Sequence, residues 1–255
     1  MRKIITLFLI SATFGLTIVS AQNDGKSEFE NGMKAYHQGD YQSALDWFDK
    51  SAKMNYINAI EVIGRMYYNG DGVAQDYDRA KIQFEQAATL GSATAMYGLG
   101  SIYGNGWGST KKNLELAYNW YLKSANLGNG SAMHDIGIMY YNGYSVEQNL
   151  DEAISWFEKG ANAGYMISMT TLAMMYQKGI DVKQDFAESN KWYKMAAEHG
   201  NPQAMFNLGI SYVKGEGIEK DCKEAYKWIK KAAENNLEEA MQAMLDTEYW
   251  DSCFK

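Results

Sequence analysis

Across residues 132–164 the apolar side chains mark out first one helix and then a second. Met133, Ile136, Gly137 and Tyr140 stand at i, i+3, i+4 and i+7, the spacing of a helix with one buried face. Asn142-Gly143 stops that helix, because glycine takes the left-handed cap without steric cost. A short polar loop follows, with Val146 as its apolar anchor. Asn149 is placed to cap the free amides of the second helix, and Glu152 three residues on completes a capping box. That helix buries Ala153, Trp156, Phe157 and Ala161 and ends at Gly164. The pattern predicts a helical hairpin, helix A followed by helix B.

The hairpin recurs. Gly64, Gly100, Gly137, Ala173 and Gly209 are separated by 36, 37, 36 and 36 residues, and the column of Tyr67, Tyr103, Tyr140, Tyr176 and Tyr212 keeps the same interval. So do Trp120, Trp156, Trp192 and Trp228. Asp185/Glu188 and Asp221/Glu224 repeat the capping box, while Asp76 and Asn113 keep the cap without it. A helical period of this length predicts an all-α solenoid, in which each unit packs on its neighbours. Five repeats occupy residues 57–240, at about 59–94, 95–131, 132–167, 168–203 and 204–239. Residues 22–56 hold a shorter helix pair, similar to a tetratricopeptide unit, that serves as an N-terminal cap. Residues 241–255 add a C-terminal capping helix, for thirteen helices in all.

The glycine column sits inside helix A, where glycine costs roughly 0.8–1 kcal/mol against alanine. Four units accept that cost, so another helix is expected to pass very close there. Ala173 shows that one methyl group still fits.

Residues 1–21 read as a secretory signal: Arg2 and Lys3, an apolar stretch, then Val19-Ser20-Ala21 as the cleavage site. The expected address is secreted or periplasmic, with cleavage after Ala21. The whole chain carries a net charge of −7; loss of Arg2 and Lys3 leaves 22 Lys+Arg against 31 Asp+Glu, or −9. Such an acidic chain argues against nucleic acid or anionic lipid as a ligand, since both need a basic face. After cleavage no stretch is expected to span a membrane. Two cysteines remain, Cys222 and Cys253, and in an oxidising compartment they are expected to pair. Cys222 opens the last helix B and Cys253 follows the antiparallel terminal helix, so the bridge would staple the end of the array. Free-thiol labelling of the secreted protein that found two reactive thiols would refute the pairing.

Ala204, Leu208, Gly209, Tyr212, Gly215, Gly217, Ile218, Asp221, Ala225, Trp228, Ala232 and Ala233 spell a string that resembles the Sel1-like repeat. The resemblance covers nearly the whole mature chain. It implies a right-handed αα superhelix that acts as an adaptor for protein complexes, often in exported bacterial proteins, with no catalytic residues common to the family. Departures are local. The second repeat carries one extra residue in 107–112, Ser145 and Asp181 replace the second loop glycine, and Gln83 replaces the Trp.

Comparison among the five units separates scaffold from surface. Three columns of helix A vary freely: Glu61, Tyr97, His134, Thr170 and Phe206; Arg65, Ser101, Ile138, Met174 and Ile210; Tyr68, Gly104, Tyr141, Gln177 and Val213. They lie at i, i+4 and i+7, on one helical face. With helix A lining the inner curve, this face is the expected groove. Its candidate contacts are Tyr68, Tyr97, His134, Ile138, Tyr141, Met174, Phe206 and Ile210. An apolar face of this kind suits a protein or peptide partner held by aromatic anchors. For Ile138 and its column, packing between repeats is the slightly favoured alternative; for Tyr97, His134 and Phe206 the surface is favoured.

Other signals point to structure. The run 104–108 looks like a phosphate-binding loop but closes a helix with no strand before it, so it reads as a turn. His134-Asp135 sit about 100° apart on their helix, and His37 and His199 lie at helix ends, so no metal or cofactor is expected. The Trp column, among small alanines, reads as core between repeats. The function expected is a non-enzymatic interaction scaffold. The alternatives are cell-wall peptide or glycan binding along the same groove, or a β-lactamase-like hydrolase as in cysteine-rich relatives of the repeat. The second lacks the frequent cysteine pairs and any Ser-x-x-Lys setting. Partner identity and oligomeric state stay open.

Overall fold

The computed structural model describes residues 24–246 and Trp250. The expected signal sequence, Cys253 and most of the final segment lie outside the described residues. Among them the fold is thirteen helices and no strands. The first helix pair is α1 (Lys26–His37) and α2 (Tyr41–Ala52). Then come α3 (Ile57–Asn69) with α4 (Tyr77–Thr89), α5 (Ala93–Asn105) with α6 (Leu114–Asn126), and α7 (Gly130–Asn142) with α8 (Leu150–Asn162). The last pairs are α9 (Met166–Lys178) with α10 (Phe186–Glu198) and α11 (Pro202–Lys214) with α12 (Cys222–Glu234), closed by the unpaired α13 (Glu238–Leu245). Each helix packs on the one before and the one after, which makes a solenoid of helix pairs.

Local chemistry explains the elements. Gly70, Gly106, Gly143, Gly179 and Gly215 each end a helix A in the left-handed conformation. All five expected caps form: Asp76, Asn113, Asn149, Asp185 and Asp221 accept backbone amides in the first turn of helix B. The second half of the capping box does not appear as expected. Each cap residue's own amide donates instead to the carbonyl of the tyrosine column, Asn149 to Tyr140 at 3.0 Å and Asp185 to Tyr176 at 2.9 Å. Glu188 and Glu224, freed from that role, pair with Lys191 and Lys227. The loop is thus sewn to the end of helix A by one bond that recurs in every unit.

The glycine column is the place of closest approach. An added Cβ would fall 2.7 Å from the Phe84 ring at Gly64, 2.5 Å from Tyr121 at Gly100 and 2.6 Å from Phe157 at Gly137. Gly209 meets Ile229 at 2.5 Å, and Gly32 extends the column into the first pair by facing Phe48 at 2.5 Å. Helix A therefore lacks a side chain where helix B inserts a large, deeply buried one. The rings that fill this space stand one residue after the Trp column. Phe48, Phe84, Phe157, Tyr193 and Ile229 are almost fully buried. Of the Trp column, Trp192 and Trp228 are core, as expected, but Trp120 and Trp156 are only half-buried. A lysine lies over each of these exposed ring faces, Lys123 at 4.2 Å from Trp120 and Lys159 at 3.9 Å from Trp156.

The extra residue of the second repeat is absorbed by a clasp. Trp107 stacks on Tyr77 with ring centroids 4.9 Å apart, and the amide and hydroxyl of Ser109 both donate to Asp78. The stretch that resembles a phosphate loop is this α5–α6 turn.

Candidate binding groove

The helix A face is built by α3, α5, α7, α9 and α11. The first two also touch directly, with α4 between them in the chain, so the A helices line one side of the stack. On this side the structure separates the expected contact residues into three groups.

Met174 of α9 is the open one, 44 % exposed. Tyr97, Ile138, Tyr141, Phe206 and Ile210 are half-buried. Ile138, Tyr141, Phe206 and Ile210 pack their inner edges on the core shared by the last repeats, which leaves their outer edges at the surface. The Tyr141 hydroxyl donates to Asp181 of the next loop, so that column bridges units as well as facing outward.

Of the remaining two expected contacts, Tyr68 keeps part of its surface and His134 is corrected. Tyr68 is half-buried in an aromatic clasp, 5.4 Å from Trp107 and 5.5 Å from Tyr77, because the longer loop of the second repeat folds over it. His134 is buried, with 8 % exposure. Its Nδ1 lies 3.0 Å from the Ser168 hydroxyl, and its ring packs 5.1 Å from Phe157 and 5.4 Å from Tyr165. Burial holds this imidazole below its ordinary pKa, so it stays neutral in the fold and favours unfolding as the pH drops through the ordinary histidine range. His134 belongs to the seam between the third and fourth repeats.

Asp135, the neighbour of His134, points elsewhere and forms the electrostatic focus of the face. Tyr97 is one of the phenols beside its carboxyl, and burial pushes the acid up to about 6. The folded chain holds that proton more tightly than the unfolded chain does. Its cost to stability therefore sets in as the pH rises from the ordinary carboxylate range through about 6. Desolvation, with the Asp135 charge adding to it, raises both the half-buried Tyr97 and the buried Tyr121 well above the ordinary tyrosine range. The sequence pattern held one clue to this residue. The same position carries Val62, Gly98, Thr171 and Asn207 in the other units, so Asp135 is the one acid in its column.

Among the described residues no group of three His, Cys, Asp or Glu side chains could hold a metal ion, and no helix is long and apolar enough to cross a membrane. Cys222, the first residue of α12, is not a free thiol. Its expected partner Cys253 lies outside the described residues.

The Sel1 repeat family model matches six segments, residues 25–56, 59–92, 93–129, 130–165, 167–201 and 202–237. The chain belongs to the Sel1 repeat family. The first Sel1 segment is the helix pair that the sequence pattern set apart as a cap. Among solved structures, a Sel1 repeat protein from Oxalobacter formigenes is similar at 31 % identity, with 84 % of this chain and 87 % of that one covered and a TM-score of 0.71. A protective antigen of uropathogenic Escherichia coli strains, described as having an SLR fold, is 28 % identical over 90 % of this chain, with a TM-score of 0.68. The match takes in 53 % of that longer antigen. An immunity protein from Pseudomonas aeruginosa shares the fold at 19 % identity, with 80 % of this chain and 81 % of that one covered and a TM-score of 0.56. A comparison with curated proteins finds no match. Sel1 repeat proteins are generally protein-interaction scaffolds.

Proposed function

We propose that this Sel1 repeat protein is an exported, non-catalytic scaffold that holds a peptide or partner protein along its helix A face. One observation carries the reading. The columns that vary from repeat to repeat keep partly accessible apolar side chains, Tyr97, Ile138, Tyr141, Phe206 and Ile210 with Met174 exposed, while the repeated alanines and the column of Phe84, Phe157, Tyr193 and Ile229 are sealed in the core. A solenoid that preserves its core and varies one face offers that face to something else. Half-buried aromatics are rigid, so they lose little entropy when a partner covers them, and they supply most of the apolar area. Export is supported by the leader-like start of the sequence.

Cross-linking in the native cell followed by mass spectrometry would identify the partner. The triple variant Tyr97→Ala, Tyr141→Ala, Phe206→Ala is then expected to weaken binding of that partner about tenfold or more with the helical circular dichroism spectrum retained. Undiminished binding by a folded triple variant would refute this face.

A further inference from the structure

The helix A face has a gap between the second and third repeats. Gly104, near the end of α5, stands in the column that Tyr68, Tyr141, Gln177 and Val213 fill elsewhere. The missing side chain contributes to a cavity of about 400 Å³. Its apolar walls are Leu114 and Ala117 of α6 and Ile138 and Met139 of α7; Asp135 is the one acid in its lining, and Lys112, Asn105, Tyr121 and Tyr144 are its other polar groups.

We propose that this cavity receives the cationic head of an arginine or lysine side chain from the polypeptide held in the groove. The methylenes lie against Leu114 and Ile138 and the charge lies on the Asp135 carboxylate. The inference rests on the groove reading and adds a chemical preference to it. Asp135 is a half-buried acid that lines the cavity, and it joins none of the ion pairs among the described residues. A cation brought into the cavity supplies the missing partner. The chain's net charge of −7 favours approach of a basic segment over an acidic one.

The surroundings of Asp135 leave it the group that changes charge near neutral pH. Tyr97 of α5, Tyr121 of α6, Tyr68 of α3 and Tyr165 ahead of α9 lie near enough to feel its charge, and each is raised above the ordinary tyrosine range and stays neutral. Lys112, exposed on the loop before α6, also lines the cavity. His134 turns away toward Ser168. Capture of the cation therefore weakens as the pH falls through the midpoint of Asp135.

The test uses the mature chain and two blocked amino acids, N-acetyl-arginine amide and N-acetyl-leucine amide, with the Asp135 carboxyl followed by carbon-13 NMR. The arginine amide is expected to lower the Asp135 midpoint by about one unit or more, as an opposite charge at contact does, and the leucine amide to leave it in place. Asp135→Asn removes binding of the arginine amide. Gly104→Leu does the same by filling the cavity while the carboxylate stays; a Cβ at Gly104 comes no closer than 3.4 Å to Ala117, so the helix accepts it. An unmoved midpoint, or full binding by a folded Gly104→Leu variant, overturns the cation site whatever the groove does. A library of ten-residue peptides tests the groove separately. Selection of arginine or lysine at one position by the wild type, lost in Asp135→Asn, supports both readings. Peptide binding without that preference overturns the cation site and spares the groove. Amide binding without any peptide binding overturns the groove and spares the cation site, and failure of both probes overturns both.

Discussion

Phe157→Ala is expected to cost the fold about 3–5 kcal/mol, the range for removal of a fully buried aromatic ring, while Trp156→Ala next to it costs much less. The two residues are adjacent on α8, but their environments differ. Phe157 is 1 % exposed, enters the space left by Gly137 and packs on His134. Its loss leaves a hole lined by helix backbone on one side, which cannot move in to close it. Trp156 is half-buried, with Lys159 over one face, and such an exposed cation–π contact is worth about 0.5–1 kcal/mol. Its truncation loses part of an area term and that contact, about 1–2 kcal/mol in all. Urea unfolding of the two variants at 25 °C measures the contrast. Equal losses would mean that the Trp column carries the stacking, against the structure.

Gly137→Leu is expected to destabilise by about 1–3 kcal/mol through overpacking, despite the gain of about 0.8–1 kcal/mol in helix propensity from replacing glycine. The new Cβ alone would sit 2.6 Å from two carbons of the Phe157 ring and 3.1 Å from the carbonyl oxygen of Ala153. His134, one turn earlier on α7, packs on the same ring at 5.1 Å, so the ring is held against this helix. Gly137→Ala is the milder control, because Ala173 occupies the equivalent place in the next repeat and is fully buried there. The double variant Gly137→Leu, Phe157→Ala is expected to lose less than the sum of its parts, since the leucine fills the hole that the ring leaves. Additive losses would show that the two side chains do not share one space.

What the sequence made legible was the local chemistry. Asn149, Gly143 and their counterparts act within a few residues of themselves, so spacing alone placed both ends of each hairpin. The close approach at the glycine column was also readable, because a costly residue repeated inside a helix needs a reason. Which ring fills that space was not. The Trp column draws the eye by its constancy, whereas the deeper column changes among Phe, Tyr and Ile as Phe157, Tyr193 and Ile229. A step of one residue turns about 100° around a helix, and the alternation of type hides it. His134 misled for a related reason: a polar residue in a variable column suggests a surface. Its partner was nonetheless present in the pattern, since Ser168 replaces the alanine found at Ala59, Ala95, Ala132 and Ala204, and supplies a hydroxyl across the seam. The Glu half of the capping boxes failed because the tyrosine carbonyl takes the amide first, a tertiary competition that no short motif encodes.

The claim that the varying helix A face holds the partner is tested most directly by a photo-activatable cross-linker placed at single positions in the native cell. Met174 lies on that face at 44 % exposure, and Ile82 lies on helix B of the first 36-residue repeat at 60 % exposure. Both sites are open to solvent, so accessibility alone does not favour Met174. A cross-linked partner from position 174 and none from 82 is the result expected. Equal capture at both, or capture from 82 alone, would contradict it.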